Sequence, residues 1–148
     1  KNERTKGKID FPSHLIEADF DYKITADHGK LLLMPSAILA PMQLVTSELN
    51  IFHSGLLLGE PGRKEFMPSP EVTFSLYCSC NAFPGVDLEL ADALQYLKGG
   101  WSALVPAAGG WHIVRYGGAR LGLIKVIGAR VNNYYPKEWR IRMNIDES

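Results

Sequence analysis

The 148-residue sequence predicts an α+β fold, and three observations carry that reading. Segments with a side-chain period of two come first, segments with helical spacing occupy the middle, and a glycine-punctuated hairpin follows near the end. That order of blocks does not build βαβ units, which need strand and helix to alternate.

Residues 1–14 mix both charges with Gly7 and Pro12, show no period, and are expected to be irregular. Residues 15–26 read as a strand: Phe20, Tyr22 and Ile24 alternate with Asp19, Asp21, Lys23 and Thr25. Asp27-His28-Gly29 is turn chemistry, and 30–34 completes a hairpin. Ser36 is placed to cap a helix over 37–47, with Ile38, Leu39, Met42 and Val45 at helical spacing. Residues 50–58 read as extended, 60–64 as a turn and 65–67 as a short strand. Ser69-Pro70 is helix-entry chemistry, an N-cap followed by proline at the first helical position. That helix is expected to reach about Cys80, turning Val72 and Leu76 inward. Residues 81–86, with Pro84-Gly85, are a break and the expected domain boundary, dividing 1–86 from 87–148. Asp87 would cap an amphipathic helix, Leu88 to Lys98, with Leu90, Leu94 and Leu97 inward and Gly99-Gly100 ending it. Residues 101–105 form another strand candidate and 106–110 a loop.

The richest stretch is 111–142. Trp111, Ile113 and Arg115 fall on one parity, His112, Val114 and Tyr116 on the other. Gly117-Gly118 supplies a hairpin turn before a second run, 119–127. Gly128 permits another bend, after which Arg130-Val131 begins an extended piece. Asn132 to Lys137 reads as a loop, because Pro136 has no N–H for a ladder.

A hydrophobic fraction of 46% is enough to build a core, in one domain or two small ones. No run of 18 apolar residues is present, so no membrane span is expected. The charged opening, 1–8, is not a secretory signal and has no initiator Met, which suggests a fragment of a longer protein. Cys78 and Cys80 are the only cysteines, and a lone Cys-Ser-Cys fits neither a zinc site nor a disulfide framework. A reducing cytoplasmic setting is expected, with both thiols buried and inert on a helix.

The zero net charge hides an asymmetry. Residues 1–92 carry 8 Lys/Arg and 13 Asp/Glu; residues 93–148 carry 8 and 3. A basic second half points either to a polyanionic partner or to a solvated surface without one. Enzyme motifs are thin: no dinucleotide fingerprint, P-loop or HExxH occurs. Gly55, Gly59 and Gly62 read as a strand and turn rather than a phosphate cradle, and the four histidines have no ligand spacing. Binding chemistry is denser. Single-stranded RNA is held by Lys/Arg on phosphates and by aromatic or amide groups on bases. Asn132, Asn133, Tyr134, Tyr135 and Trp139 interleave here with Lys137, Arg140 and Arg142. The structural alternative is that Trp111 and Trp139 plug a small core, Tyr134 packs under the loop, and the asparagines serve turn geometry. Lys125 would then be a plain surface charge.

Residues 110–142 resemble the C-terminal signature of RsmF-type rRNA cytosine-5 methyltransferases, the bacterial branch of the Nop/Sun enzymes. The carriers are Gly110-Trp111, then Leu121-Gly122 through Lys125, then Asn132-Asn133-Tyr134-Tyr135-Pro136-Lys137 with Arg140 following. Ser54 to Ser69 is similar to that family's GLxLGE … RFxPSHAL segment, and Ala93 to Gly99 to its A-x-x-YL-x-G helix. The resemblance implies a PUA-like mixed β barrel within 87–148, preceded by a small α/β linking domain within 1–86. It implies a parent enzyme that transfers a methyl group from S-adenosylmethionine to small-subunit rRNA. The family's catalytic cysteine motifs and its nucleotide-binding βαβ have no counterpart here, so this stretch is expected to be non-catalytic, without cofactor or metal. Its expected partners are small-subunit rRNA and an upstream methyltransferase domain, with the chain acting as a monomer away from membranes. Lys125, Lys137, Arg140 and Arg142 are the expected phosphate contacts. Asn133, Tyr134 and Tyr135, with Asn132 beside them, are the expected base or sugar contacts. The rival reading is a structural or protein-interaction module of the same enzyme that never touches RNA.

Overall fold

The computed structural model describes residues 11–49 and 54–143. The chain divides into two compact units, 1–79 and 80–148.

In the first unit, four antiparallel strands run in the order β1 (Tyr22–Asp27), β2 (Lys30–Pro35), β3 (Leu56–Pro61), β4 (Phe66–Pro68). The expected strand over 15–26 is shorter: Ser13–Leu15 form a 3-10 turn, and Ile16 makes one bridge to Cys78. β2 lies between β1 and β3 and buries Leu31 to Met34 without alternation, as a central strand covered on both faces does. Helix α1 spans Ser36–Glu48, but Pro35, not Ser36, is its N-cap. The Ser36 N–H is already taken by the Asp21 carbonyl at 2.8 Å. Of its expected inward residues, Ile38 and Val45 are exposed, as are Leu44 and Leu49. Residues 50–53, expected to be extended, lie outside the described residues. Gly62 sits in the β3–β4 turn, its N–H on Glu65 O, and Gly59 lies inside β3, so neither belongs to a phosphate loop.

Ser69 caps helix α2 as expected, accepting from Glu71 N at 3.2 Å with Pro70 opening the helix. The helix stops at Phe74 instead of reaching Cys80. Thr73 Oγ1 donates to the Pro70 carbonyl and Ser75 Oγ accepts from Tyr77 N, so local hydroxyls compete with helix propagation. Leu76, expected inward, is 95% exposed, whereas Val72 is fully buried.

In the second unit a mixed sheet runs β5 (Gly85–Asp87), β6 (Gly110–Tyr116), β7 (Ala119–Ile127), β8 (Arg130–Asn133). β5 is parallel to β6; the other pairings are antiparallel. The units therefore part between Ser79 and Cys80, upstream of the expected 86/87 boundary, because β5 pairs within the second sheet. The hairpin forms as read, with Gly117 and Gly118 both at positive φ in the turn. Asn132 and Asn133 are not loop residues: they continue β8 opposite Lys125 and Ile124.

Helix α3 covers Leu90–Leu97, shorter than expected, with Glu89 in place of Asp87 at its N-cap. Asp87 belongs to β5, and Leu88 is buried just ahead of the helix. The inward face is Ala93, Tyr96 and Leu97, rotated from the expected Leu90–Leu94–Leu97 stripe; Leu90 is 55% exposed. These residues pack with Leu88, Val114, Ile124 and Val126 to form the core of this unit. The expected strand at 101–105 is absent; Trp101 and Ala103 pack irregularly against the same core.

Candidate nucleic-acid interface

Alternation along β8 splits the Asn-Asn-Tyr-Tyr run between two faces of the sheet. Asn133 and Tyr135 turn toward α3. The Asn133 amide donates to the Tyr96 carbonyl at 2.8 Å and the Gly100 carbonyl at 2.9 Å, and its Oδ1 accepts from Tyr135 N at 2.8 Å. Both amide N–H groups are engaged, so Asn133 ties the helix end to the strand and is not placed to read a base. The Tyr135 ring packs on Tyr96 with centroids 5.6 Å apart, and Trp139 meets Tyr135 at 6.2 Å. The Arg140 guanidinium lies on Gly99, where a Cβ would come within 2.6 Å of Cζ. The Ile141 N–H reaches the Leu97 carbonyl at 3.0 Å.

Tyr96 is the centre of this clamp. Its hydroxyl donates to the Leu123 carbonyl at 3.0 Å. Gly122, at φ +147°, lets the hydroxyl through; any Cβ there would collide with Tyr96 Oη. Burial holds the phenol well above the usual tyrosine range, and neighbouring Tyr135 adds to this. The bond to Leu123 and the positive charge of Arg140 oppose the shift without cancelling it. Tyr96 is therefore a neutral donor at any physiological pH.

The other face carries a different set. Trp111, Lys125 and Asn132 are successive cross-strand partners on β6, β7 and β8. Lys125 Nζ sits 5.1 Å from the Trp111 ring centroid, a cation–π arrangement. Tyr134 meets Trp111 edge-on at 4.6 Å. Lys125, Asn132 and Tyr134 are each partly exposed. An ammonium beside a ring edge and an amide can hold a phosphate next to a base.

The eight expected contact residues thus fall into three groups. Lys125, Asn132 and Tyr134 gather around Trp111. Asn133, Tyr135 and Arg140 belong to the clamp on the opposite side. Lys137 and Arg142 are exposed, Lys137 opening a 3-10 turn at Lys137–Trp139 and Arg142 lying beyond it. The two tryptophans read as core plugs also separate: Trp111 is buried, Trp139 is 50% exposed. Trp111 is the aromatic absent from the expected contacts: Lys125 and Tyr134 gather on it, and only its parity with Lys125 across the hairpin signals this in the sequence.

Charge favours an anionic partner. Residues 80–143 carry eight Lys/Arg against four Asp/Glu. Asp87 is held by Arg115 through Nε at 3.0 Å and the terminal nitrogen at 2.8 Å, and Asp92 accepts from Ser102. Neither cysteine lies on a helix; Cys78 is buried, and Cys80, expected to be buried, is exposed. Among the described residues no cluster of three or more His, Cys, Asp or Glu could hold a metal, and no helix is long and apolar enough to cross a membrane.

Residues 83–141 match the family model described as the methyltransferase RsmF PUA domain. The chain is 35% identical over 86 residues to the ribosomal RNA small subunit methyltransferase F of Shewanella loihica. That alignment takes in 57% of this chain but 17% of the relative, so the chain spans a small part of the length of the protein it matches. The matched residues contain the mixed sheet, α3, the Tyr96 clamp and the Trp111 face. Over residues 83–141, the second unit thus matches a PUA domain of the RsmF type.

Proposed function

We propose that the chain is the RNA-binding module of an S-adenosylmethionine-dependent rRNA (cytosine-5) methyltransferase, non-catalytic in itself, which helps position small-subunit rRNA. The observation that carries this reading is the Trp111 face. Lys125, Asn132 and Tyr134 are displayed there together, while the residues alternating with them lock the fold. The printed name of the relative supports rRNA as the partner. S-adenosylmethionine then belongs to an upstream methyltransferase domain, and the module works in the cytoplasm as a monomer. The sheet is read here as the larger part of a PUA-like barrel, and the first unit as its linking domain.

The test is fluorescence anisotropy with small-subunit rRNA fragments. Combined Lys125→Glu and Lys137→Glu substitution is expected to weaken binding at least about tenfold while the chain still melts cooperatively, since Lys137 is exposed and Lys125 partly so. If three or four phosphates are engaged, log affinity falls with log salt at a slope of roughly −2 to −3. Unchanged affinity, or no salt dependence, would overturn the reading in favour of a docking role. The exposed Leu44 and Leu49 of α1 would then be the first surface to probe.

A further inference from the structure

A cleft of about 220 Å³ opens in the second unit, lined by Cys80, Phe83, Gly85, Ile113, Arg115 and Arg120, with Gly118 of the hairpin turn at its edge. None of these residues belongs to the Trp111 cluster or to the clamp. Arg115 is set as a fixed plane. Asp87 holds it through two hydrogen bonds, and Gly85 lies beneath it, where a Cβ would overlap the guanidinium. A guanidinium has five N–H donors. Two point at Asp87, which leaves donors along the far edge and an open π face. Arg120 is the cross-strand partner of Arg115, so the two cations share one face of the sheet. Phe83 supplies an aromatic wall.

A fixed guanidinium plane, an aromatic side chain and a second arginine together are the groups that hold an unstacked base and its phosphate. We propose that this cleft takes one unpaired nucleotide of the bound RNA, its base laid on the Arg115 plane beside Phe83 and its phosphate on Arg120. The inference rests on the RNA-binding reading above and adds a second contact point to it. Trp111, Ile113 and Arg115 share one parity of β6, so the cleft and the Trp111 cluster lie on the same sheet face about 13 Å apart along the strand. A single strand of a few nucleotides bridges that distance. A rigid duplex cannot offer an unstacked base to the cleft.

Cys80 on the rim is a built-in reporter, and buried Cys78 is a quiet companion. The experiment follows maleimide labelling of Cys80 in the whole chain, alone, with a mixed-sequence single-stranded RNA octamer, and with the blunt duplex of the same sequence. Anisotropy of each RNA is read in parallel. The single strand is expected to slow Cys80 labelling at least about fivefold, and the duplex to leave it unchanged. Phe83→Leu is expected to abolish the protection while the octamer still binds through the Trp111 face. Arg120→Gln, which leaves the Asp87–Arg115 pair in place, is expected to lower affinity about threefold or more and to flatten the salt slope by about 0.7. An octamer that binds without protecting Cys80 overturns the cleft and leaves the RNA-binding reading standing. Equal protection by single strand and duplex also overturns it. An octamer that does not bind at all removes both.

Discussion

The two faces of the β6–β7–β8 sheet use the same residue types for opposite ends. Toward α3, an asparagine, a tyrosine and an arginine are locked into one another: Asn133 on two carbonyls, Tyr135 on Tyr96, Arg140 on Gly99. On the reverse side another asparagine, tyrosine and cation, Asn132, Tyr134 and Lys125, surround Trp111 and remain partly open to solvent. Adjacent residues of identical chemistry are sorted by strand parity alone. A single run of residues can therefore mix scaffold and contact positions one by one, and its chemistry does not say which is which.

The sharpest way to break the comparison is at Gly122. Gly122→Ala places a methyl group on Tyr96 Oη at a backbone angle that suits glycine, and Tyr96 is fully buried and held there by its bond to the Leu123 carbonyl. The expected loss is about 3 kcal/mol or more of stability in the second unit, read by urea denaturation. A loss below about 1 kcal/mol would mean that the clamp is looser than its geometry. The next effect contrasts the two asparagines. Asn133→Ala removes the side chain that joins the Tyr96 and Gly100 carbonyls to the Tyr135 N–H, and should cost about 1.5 kcal/mol, most of it at the part-buried Tyr96 and Tyr135 contacts. Asn132→Ala should cost less than about 0.5 kcal/mol and act only on RNA affinity. Equal destabilisation by both would erase the distinction between the faces.

The last expected effect is alkaline and grows with pH. Folding keeps the proton on Tyr96, whereas an unfolded tyrosine ionises near pH ~10. The unfolded chain then binds fewer protons above that point. Stability present below about pH 10 falls as pH rises beyond it, by at most about 1.4 kcal/mol per pH unit. Urea midpoints taken at rising pH should show this loss in the parent and not in Tyr96→Phe. A parent curve flat to pH ~11 would contradict it.

What could be read in advance follows the range of the interactions. The β6–β7 hairpin was legible because Gly117-Gly118 and two alternating runs are local signals. The Ser69-Pro70 helix start was legible for the same reason, but its early end was not, because that end depends on how Thr73 and Ser75 hydroxyls compete with the backbone. β5 is three residues long and pairs with a strand 28 positions onward, so nothing near Gly85 announces it. The rotation of α3 has a similar origin. Leu90, Leu94 and Leu97 form an apolar stripe on paper, but Tyr96 must face the sheet to reach the Leu123 carbonyl. At the site, the chemistry of 132–137 was legible and its sorting was not. That sorting depends on β8 extending through Asn133, whereas Pro136 makes the run look like a loop.

β8 leaves the Gly128 bend only two residues before Arg130, and its pairing with β7 runs from Arg130 through Asn133. Adding or deleting a single codon at 128–129 would slide this edge by one position and exchange the inner and outer rows. Asn132 would then meet the helix end, and Asn133 would face the medium. Substitutions across this segment should therefore be tolerated one at a time according to row, whereas length changes in the bend should be purged almost without exception. Among related modules the spacing from Gly128 to Pro136 ought to vary less than the residues within it.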